Sequence, residues 1–411
     1  MHIALAVFGT RGDLTPMVSL ALASSERVEH VERVTLLLDP TFAPGLRERG
    51  VDQRIELVEV GEPWSLEEVL RHPRSFDPRW VWREVYLPRV EPFARAIFEL
   101  HEREPLDAVV VHGWTLGAAL ACEQLGVPFI GCALQPMLWM SSVDPPRLDA
   151  LEMPDWLRRA VQPKILSMVL RTSFVPAFEQ VLRRMDIDMP RSELPFQWFW
   201  ERASGHLALW DPMFRGSRED DPRNARIVGF LEEEIWGEAE EHLAQFCAKE
   251  QPWIVGLGSA LPEVSKPIYE HVLDGVSDPV VLIGADPDDF PNQPDRVRIV
   301  RRAPYRALFP LARGVIHHGG IGTVADALRA GVPQCVLPFG NDMFDNADCL
   351  LRLGVGRSLS HRELERGELS NTLRELERSE VKDLAREVAS SLRSPARALD
   401  DAVSHVLDMA S

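Results

Sequence analysis

The chain reads as an α/β protein built from two doubly wound parallel sheets that face each other across a cleft. Three observations carry this. At 411 residues it is too long for one comfortable core, so two domains of roughly 200 residues are expected. Apolar runs of strand length recur with helical patterns between them. Those runs are continuous in Val, Ile and Leu instead of alternating, as in strands buried on both faces and flanked by helices.

The first set of runs covers 2–8, 34–38, 55–60, 107–111 and 129–132; a second set follows at 207–210, 253–257, 280–283, 297–300, 315–317 and 335–338. Between 215 and 241 the polar stretch from Gly216 to Pro222 and the Glu232-Glu233-Glu234 run dilute the apolar content, which marks a domain boundary. Open α/β sheets bind ligands outside the carboxyl ends of their strands, so two facing sheets hold one substrate each. Residues 135–200 lose the regular pattern and are rich in Trp, Met, Phe and Pro. They read either as core or as an apolar acceptor pocket of adaptable side chains.

The charge balance of 45 basic against 63 acidic residues, net −18, argues against nucleic acid or an anionic membrane as partner. Five cysteines without a CxxC pair or zinc spacing read as buried thiols in a reducing cytosol. Met1 to Ala4 runs straight into a strand without a basic leader, and no stretch of about 20 apolar residues stands out. Neither export signal nor membrane span is expected, and the localisation expected is cytoplasmic. Composition is silent on the oligomeric state.

The chemistry concentrates in His317-His318-Gly319-Gly320-Ile321-Gly322-Thr323. An apolar run, a tight glycine loop and a helix start follow in that order. Such a loop leaves backbone N–H groups unpaired and aims the positive end of a helix dipole at whatever lies above it, which suits a diphosphate. His318 adds a side-chain donor, and the Thr323 hydroxyl either caps the helix or reaches a phosphate oxygen. Near the other end, Asp13 in Gly9-Thr10-Arg11-Gly12-Asp13 sits past strand one, at the cleft, where a carboxylate reaches an acceptor hydroxyl or caps the next helix. No GxGxxG follows that strand, which weakens a dinucleotide reading. His112, at the terminus of another strand, faces the same cleft and either assists Asp13 or is a satisfied histidine. No HExxH-like spacing appears, so no catalytic metal is expected.

From His318 through Ala330-Gly331-Val332-Pro333-Gln334 to Asp342-Met343-Phe344-Asp345-Asn346, the chain resembles the donor-binding signature of glycosyltransferase family 1, the nucleotide-sugar enzymes with two Rossmann-like domains called the GT-B fold. Phe8 to Asp13 with Pro16 resembles the opening of the bacterial antibiotic and sterol members. Residues 210–230 and 339–356 also resemble the bacterial rhamnosyltransferase that builds rhamnolipids. The resemblance implies domains at 1–218 for acceptor and 219–393 for nucleotide sugar, with 394–411 a final helix packing back on the first domain. It implies that Asp13 is the base, and that Thr10, Gly12, Ser259, His318, Gly319, Gly320, Gly322 and Thr323 surround the donor. It further implies Asp326 on the ribose, Ala303-Pro304-Tyr305 packing on the base, and Asp342 reading the sugar with Asn346 on the phosphate side. Met343 stands where glucose users usually show Gln, and a thioether can neither donate nor accept usefully, so a deoxysugar such as rhamnose or an atypical donor is expected.

The function expected is therefore inverting transfer of a sugar from a UDP- or dTDP-sugar to a hydroxyl of an apolar acceptor, a secondary metabolite or a hydroxy-lipid, without cofactor or metal. A sugar-nucleotide epimerase and a non-catalytic nucleotide-sugar-binding auxiliary of another transferase are the competing readings.

Overall fold

The structure is a computed structural model and describes residues 1–26, 30–75, 77–148, 154–187, 194–231, 240–258, 262–291 and 293–410. The first sheet contains β1 (His2–Ala6), β2 (Arg33–Leu38), β3 (Glu56–Glu59), β4 (Ala108–His112), β5 (Phe129–Ala133), β6 (Gly205–Ala208) and β7 (Ala225–Ile227). They lie in the order β3-β2-β1-β4-β5-β6-β7, and every pairing is parallel. The second contains β8 (Trp253–Gly256), β9 (Val280–Ile283), β10 (Val297–Val300), β11 (Gly314–His317), β12 (Gln334–Val336) and β13 (Gly356–Ser358), in the order β10-β9-β8-β11-β12-β13, again parallel.

All residues of β1, β4, β5, β8, β9 and β11 are buried, which is why their sequences are apolar apart from His2, His112 and His317 at strand ends. Strand order reverses between β1 and β4 in one sheet and between β8 and β11 in the other. At each reversal the connecting helices leave to opposite faces and open a crevice at the strands' carboxyl ends.

The boundary expected at 218 falls short of the first sheet, which runs on to Ile227. The run at 207–210, grouped by sequence with the second set, overlaps β6, which pairs with β5. The edge strands β7 and β13, Ala-Arg-Ile and Gly-Arg-Ser, escaped the sequence reading because a short polar edge carries no apolar run. The Glu232-Glu233-Glu234 run lies outside the described residues.

The helix Pro395–Ala410 returns to the first domain and packs on the helix Arg11–Glu26 and on β4, β5 and β6, burying Ala398, Leu399, Ala402, Val403 and Val406. The approach is pinned by Arg393, whose N–H donates to Asp211 Oδ2 at 2.8 Å and whose guanidinium donates to the Ile227 carbonyl at 2.9 Å.

Much of the Trp- and Met-rich middle is core. Met137, Leu138, Trp139, Trp198, Phe199 and Trp200 are buried, and Trp139 packs edge-on against Trp210 at 4.7 Å. The helical stretch Asp155–Arg184 has an 18-residue window of mean hydropathy 1.2 and is, among the described residues, the single helix long and apolar enough to cross a bilayer. The sequence reading had found no such stretch. Its Leu170, Phe174, Val175 and Phe178 are buried in the first domain's core.

Candidate functional site

At the first reversal, β1 runs through Phe8 into the turn Gly9-Thr10 and the helix Arg11–Glu26. Asp13 occupies the first turn of that helix. The Thr10 N–H and hydroxyl both donate to Asp13 Oδ2, at 2.6 and 2.9 Å, and the Gly12 N–H donates to Thr10 Oγ1 at 3.2 Å. Thr10 and Gly12, expected on the donor, thus build the turn that holds Asp13. Gly9 adopts φ +144°, and a Cβ there would collide with the Asp13 carboxylate. Asp13 both caps the helix with one oxygen and turns the other, Oδ1, toward His112 Nε2 at 3.8 Å.

His112 closes β4 and is fully buried. Its Nδ1 lies 3.1 Å from the Phe8 carbonyl, and its Nε2 has no hydrogen-bond partner. Burial holds the imidazole pKa below its ordinary value against the raising effects of the Asp13 charge and the Phe8 hydrogen bond.

At the second reversal, β11 ends at His317, whose Nε2 is 2.9 Å from Gln334 Oε1 and whose Nδ1 accepts from the Gly319 N–H at 3.1 Å. The proton therefore sits on Nε2, and burial keeps the ring neutral, its pKa pulled down to about 3. Gly319 adopts φ +99°, and its carbonyl accepts from Asn346 Nδ2 at 2.9 Å. Both of its backbone groups are committed to shaping the loop. His318 turns the other way, into a slot between two backbones: a Cβ on Gly258 or Gly320 would lie 2.6 or 2.5 Å from its ring. Burial pulls its pKa down to about 4.

The helix Ile321–Ala330 then begins at Gly320 without any side-chain cap. The N–H groups of Ile321, Gly322 and Thr323 precede the first helical bond, from Val324 to the Gly320 carbonyl at 3.0 Å. These three donors lie at the positive end of the helix, just past the carboxyl end of β11.

The two halves meet. Asp342, at the start of the helix Met343–Arg352, is pushed up to about 7, first by burial and then by the charge of Asp13 across the cleft. Its Oδ2 accepts from Asn346 Nδ2 at 2.8 Å. Next to this helix the domains are clipped together: the Arg147 N–H donates to Asp345 Oδ1 at 3.0 Å, Arg147 pairs with Asp348 at 2.5 Å, and Arg352 pairs with Asp144 at 2.8 Å.

Other expected residues are placed less directly. Asp326 is paired with Arg306 at 3.0 Å. The Tyr305 ring is stacked on Phe309 at 4.7 Å, with its hydroxyl against Gly256, so one face is already covered. Ala303 and Pro304 form the turn between β10 and the helix Tyr305–Leu308. Met343 packs with its Cβ and carbonyl against Gly319. Ser259 lies outside the described residues. Among the described residues no group of three or more His, Cys, Asp or Glu is placed to hold a metal ion.

The sequence reading missed Tyr86, on which the charges of both Asp13 and Asp342 bear, and the rings around it, Trp64 and Trp114. Nothing in the local pattern distinguishes them from core aromatics.

Residues 275–400 match the family described as Erythromycin biosynthesis protein CIII-like, C-terminal domain. The chain is 26% identical to the O-mycaminosyltylonolide 6-deoxyallosyltransferase of Streptomyces fradiae over 91% of this chain and 89% of that one. It is 25% identical to an uncharacterised glycosyltransferase of Mycobacterium tuberculosis over 97% and 96%. Among solved structures, the glycotransferase of kitacinnamycin superposes with a TM-score of 0.75 at 20% identity, covering 100% of this chain and 99% of that one. The glycosyltransferase VinC, solved in complex with dTDP, gives 0.66 at 18% over 100% and 99%.

Two parallel Rossmann-like sheets facing across a cleft are the GT-B fold, and a protein of this fold with these relatives is a sugar-transferring enzyme. Along nearly its whole length the chain is similar to glycosyltransferases, and the family match lies in its second domain.

Proposed function

We propose that the enzyme transfers a sugar from a UDP- or dTDP-sugar to a hydroxyl of an apolar small-molecule acceptor, with inversion at the anomeric carbon and Asp13 as the base. The observation that carries this is the opposition of Asp13 to the uncapped helix start at Ile321, Gly322 and Thr323, each at the reversal point of its own sheet. The acceptor O–H gives its proton to Asp13 while its oxygen bonds to the anomeric carbon. The bond from that carbon to the diphosphate breaks on the opposite side, and its electron pair leaves on a phosphate oxygen. The three free N–H groups stabilise that charge as it develops, without metal, and neutral His318 stands beside them. Asp342 accepts from sugar hydroxyls through the oxygen that Asn346 leaves open.

The dTDP in the structure of VinC supports a thymidine or uridine nucleotide, and the Streptomyces fradiae 6-deoxyallosyltransferase agrees with the deoxysugar reading of Met343. Five buried free thiols suit the reducing cytosol.

The test is a panel of UDP- and dTDP-linked glucose and rhamnose against 4-methylumbelliferone, kaempferol and 3-hydroxydecanoate, read by mass spectrometry, with the anomeric configuration read by NMR. A glycoside inverted relative to the donor is the expected product. An altered free nucleotide sugar without acceptor would establish an epimerase, and retention of configuration would remove the direct displacement.

A further inference from the structure

The wall beneath Asp13 is aromatic, and its rings come from three separate segments. Phe8 ends the β1 segment just before the Gly9-Thr10 turn, Trp114 lies two residues past His112, and Tyr86 is wedged between them. The Tyr86 ring meets Phe8 edge-on at 6.1 Å and lies face to face on Trp114 at 4.3 Å, with only 16° between the planes. Trp64 packs tilted against Phe8 at 5.1 Å, and Phe196 supports Trp114 edge-on at 5.4 Å. Phe8 and Phe196 are buried, whereas Trp64, Tyr86 and Trp114 are partly exposed, so the supporting rings are inside and the supported ones face outward.

Tyr86 owes its position to a π-helical turn, Trp82–Tyr86, within the helical stretch that continues as Leu87–Arg103. Such a turn widens the helix by one residue and is frequent at functional sites. It is anchored by Trp82, whose Nε1–H donates to the Phe174 carbonyl at 3.2 Å. No hydrogen bond to the Tyr86 hydroxyl is formed among the described residues, although the charges of Asp13 and Asp342 both act on it.

The geometry points to Tyr86 and Trp114 as the platform on which a planar, ring-bearing acceptor lies, with Tyr86 setting the preference for that shape. This rests on the reaction proposed above and names its acceptor class. Two physical arguments select this class over a hydroxy fatty acid. Rigid rings lose little freedom and offer stacking only to a flat partner, whereas an alkyl chain gives up rotamer entropy without that gain. A hydroxy fatty acid would also bring a carboxylate to a cleft that already holds Asp13 and Asp342, and like charges there repel.

The experiment compares kcat/KM for 4-methylumbelliferone and 3-hydroxydecanoate, using the donor most active in the panel, for the wild type, Tyr86→Phe and Tyr86→Leu. The wild type should prefer the planar phenol by about tenfold or more. Tyr86→Leu should lower kcat/KM for the phenol by about tenfold, mainly through KM, and lower that for 3-hydroxydecanoate by a smaller factor, so that the preference falls; Tyr86→Phe should keep the preference. Binding of UDP and dTDP and the melting temperature serve as integrity checks. Should Tyr86→Leu fail to fold, Trp114→Leu, which removes the partner ring, gives the same readout. Equal or better use of 3-hydroxydecanoate, or a preference that survives loss of both rings, would overturn the platform and leave the transferase standing. Transfer to no acceptor at all would instead count against the reaction itself.

Discussion

His112 Nε2 faces Asp13 Oδ1 across 3.8 Å while His112 Nδ1 lies 3.1 Å from the Phe8 carbonyl. A carbonyl only accepts, so Nδ1 carries the proton and Nε2 presents a lone pair. Imidazole and carboxylate are therefore both proton acceptors turned toward one gap. Thr10 saturates one oxygen of Asp13 with two donors, which orients the other. His112 is fixed behind it by burial. This arrangement supports the proposed role of the more exposed Asp13 as the base.

Asp13→Asn keeps the shape of the turn but removes the base. Turnover should fall by about 100-fold or more with UDP and dTDP affinity retained. Unchanged kcat/KM in a steady-state assay would eliminate the base assignment.

His112→Leu leaves the Phe8 carbonyl without its donor and should destabilise the protein by about 1–3 kcal/mol. Its effect on turnover should be nearer tenfold, smaller than that of Asp13→Asn. A loss equal to that of Asp13→Asn, in protein that still melts cooperatively, would transfer the role of base to His112.

A Cβ on Gly322 meets nothing within 4 Å, so alanine fits the free protein. Because alanine favours the helix, Gly322→Ala should be neutral or more stable by up to about 1 kcal/mol. The same methyl group intrudes where a diphosphate would approach the N–H groups, so UDP and dTDP should bind about tenfold more weakly. Undiminished binding by calorimetry would place the phosphates elsewhere.

The folded protein binds the Asp342 proton more tightly than the unfolded chain, with pKa values of about 7 and 3.8, and Asp345 is raised likewise, to about 6. Stability from these groups is fully present below the unfolded value and is lost as pH rises through the folded one. Thermal melts should therefore decline from about pH 4 toward pH 7 and above, and Asp342→Asn should flatten that decline. An identical pH slope in the variant would show that Asp342 ionises freely in the folded state.

The double sheet was legible because buried parallel strands must be continuous in apolar residues, as Ala108 to Val111 and Val280 to Ile283 are. The turn at Gly319 and Gly320 was legible because its glycines stand between an apolar run and a helical pattern. The division of labour inside that loop was not. That the Gly319 N–H is taken by His317, and that Thr10 holds Asp13, depends on hydrogen bonds whose alternatives look the same in sequence. The pairing of Asp326 with Arg306, twenty positions away in the chain, was likewise not visible in sequence.

Local pattern by itself determined which segments become buried strands, where a glycine turn leads into a helix, and that an acid follows β1, since each depends on neighbours within one turn or one strand. Only the tertiary structure decided that Asp13 and Asp342 share one electrostatic environment, and that Tyr86 and Trp114 stack beneath them. Those relationships join residues far apart in the chain, and they exist because sheet order and domain docking bring the carboxyl ends of β1, β4, β8 and β11 to a single cleft.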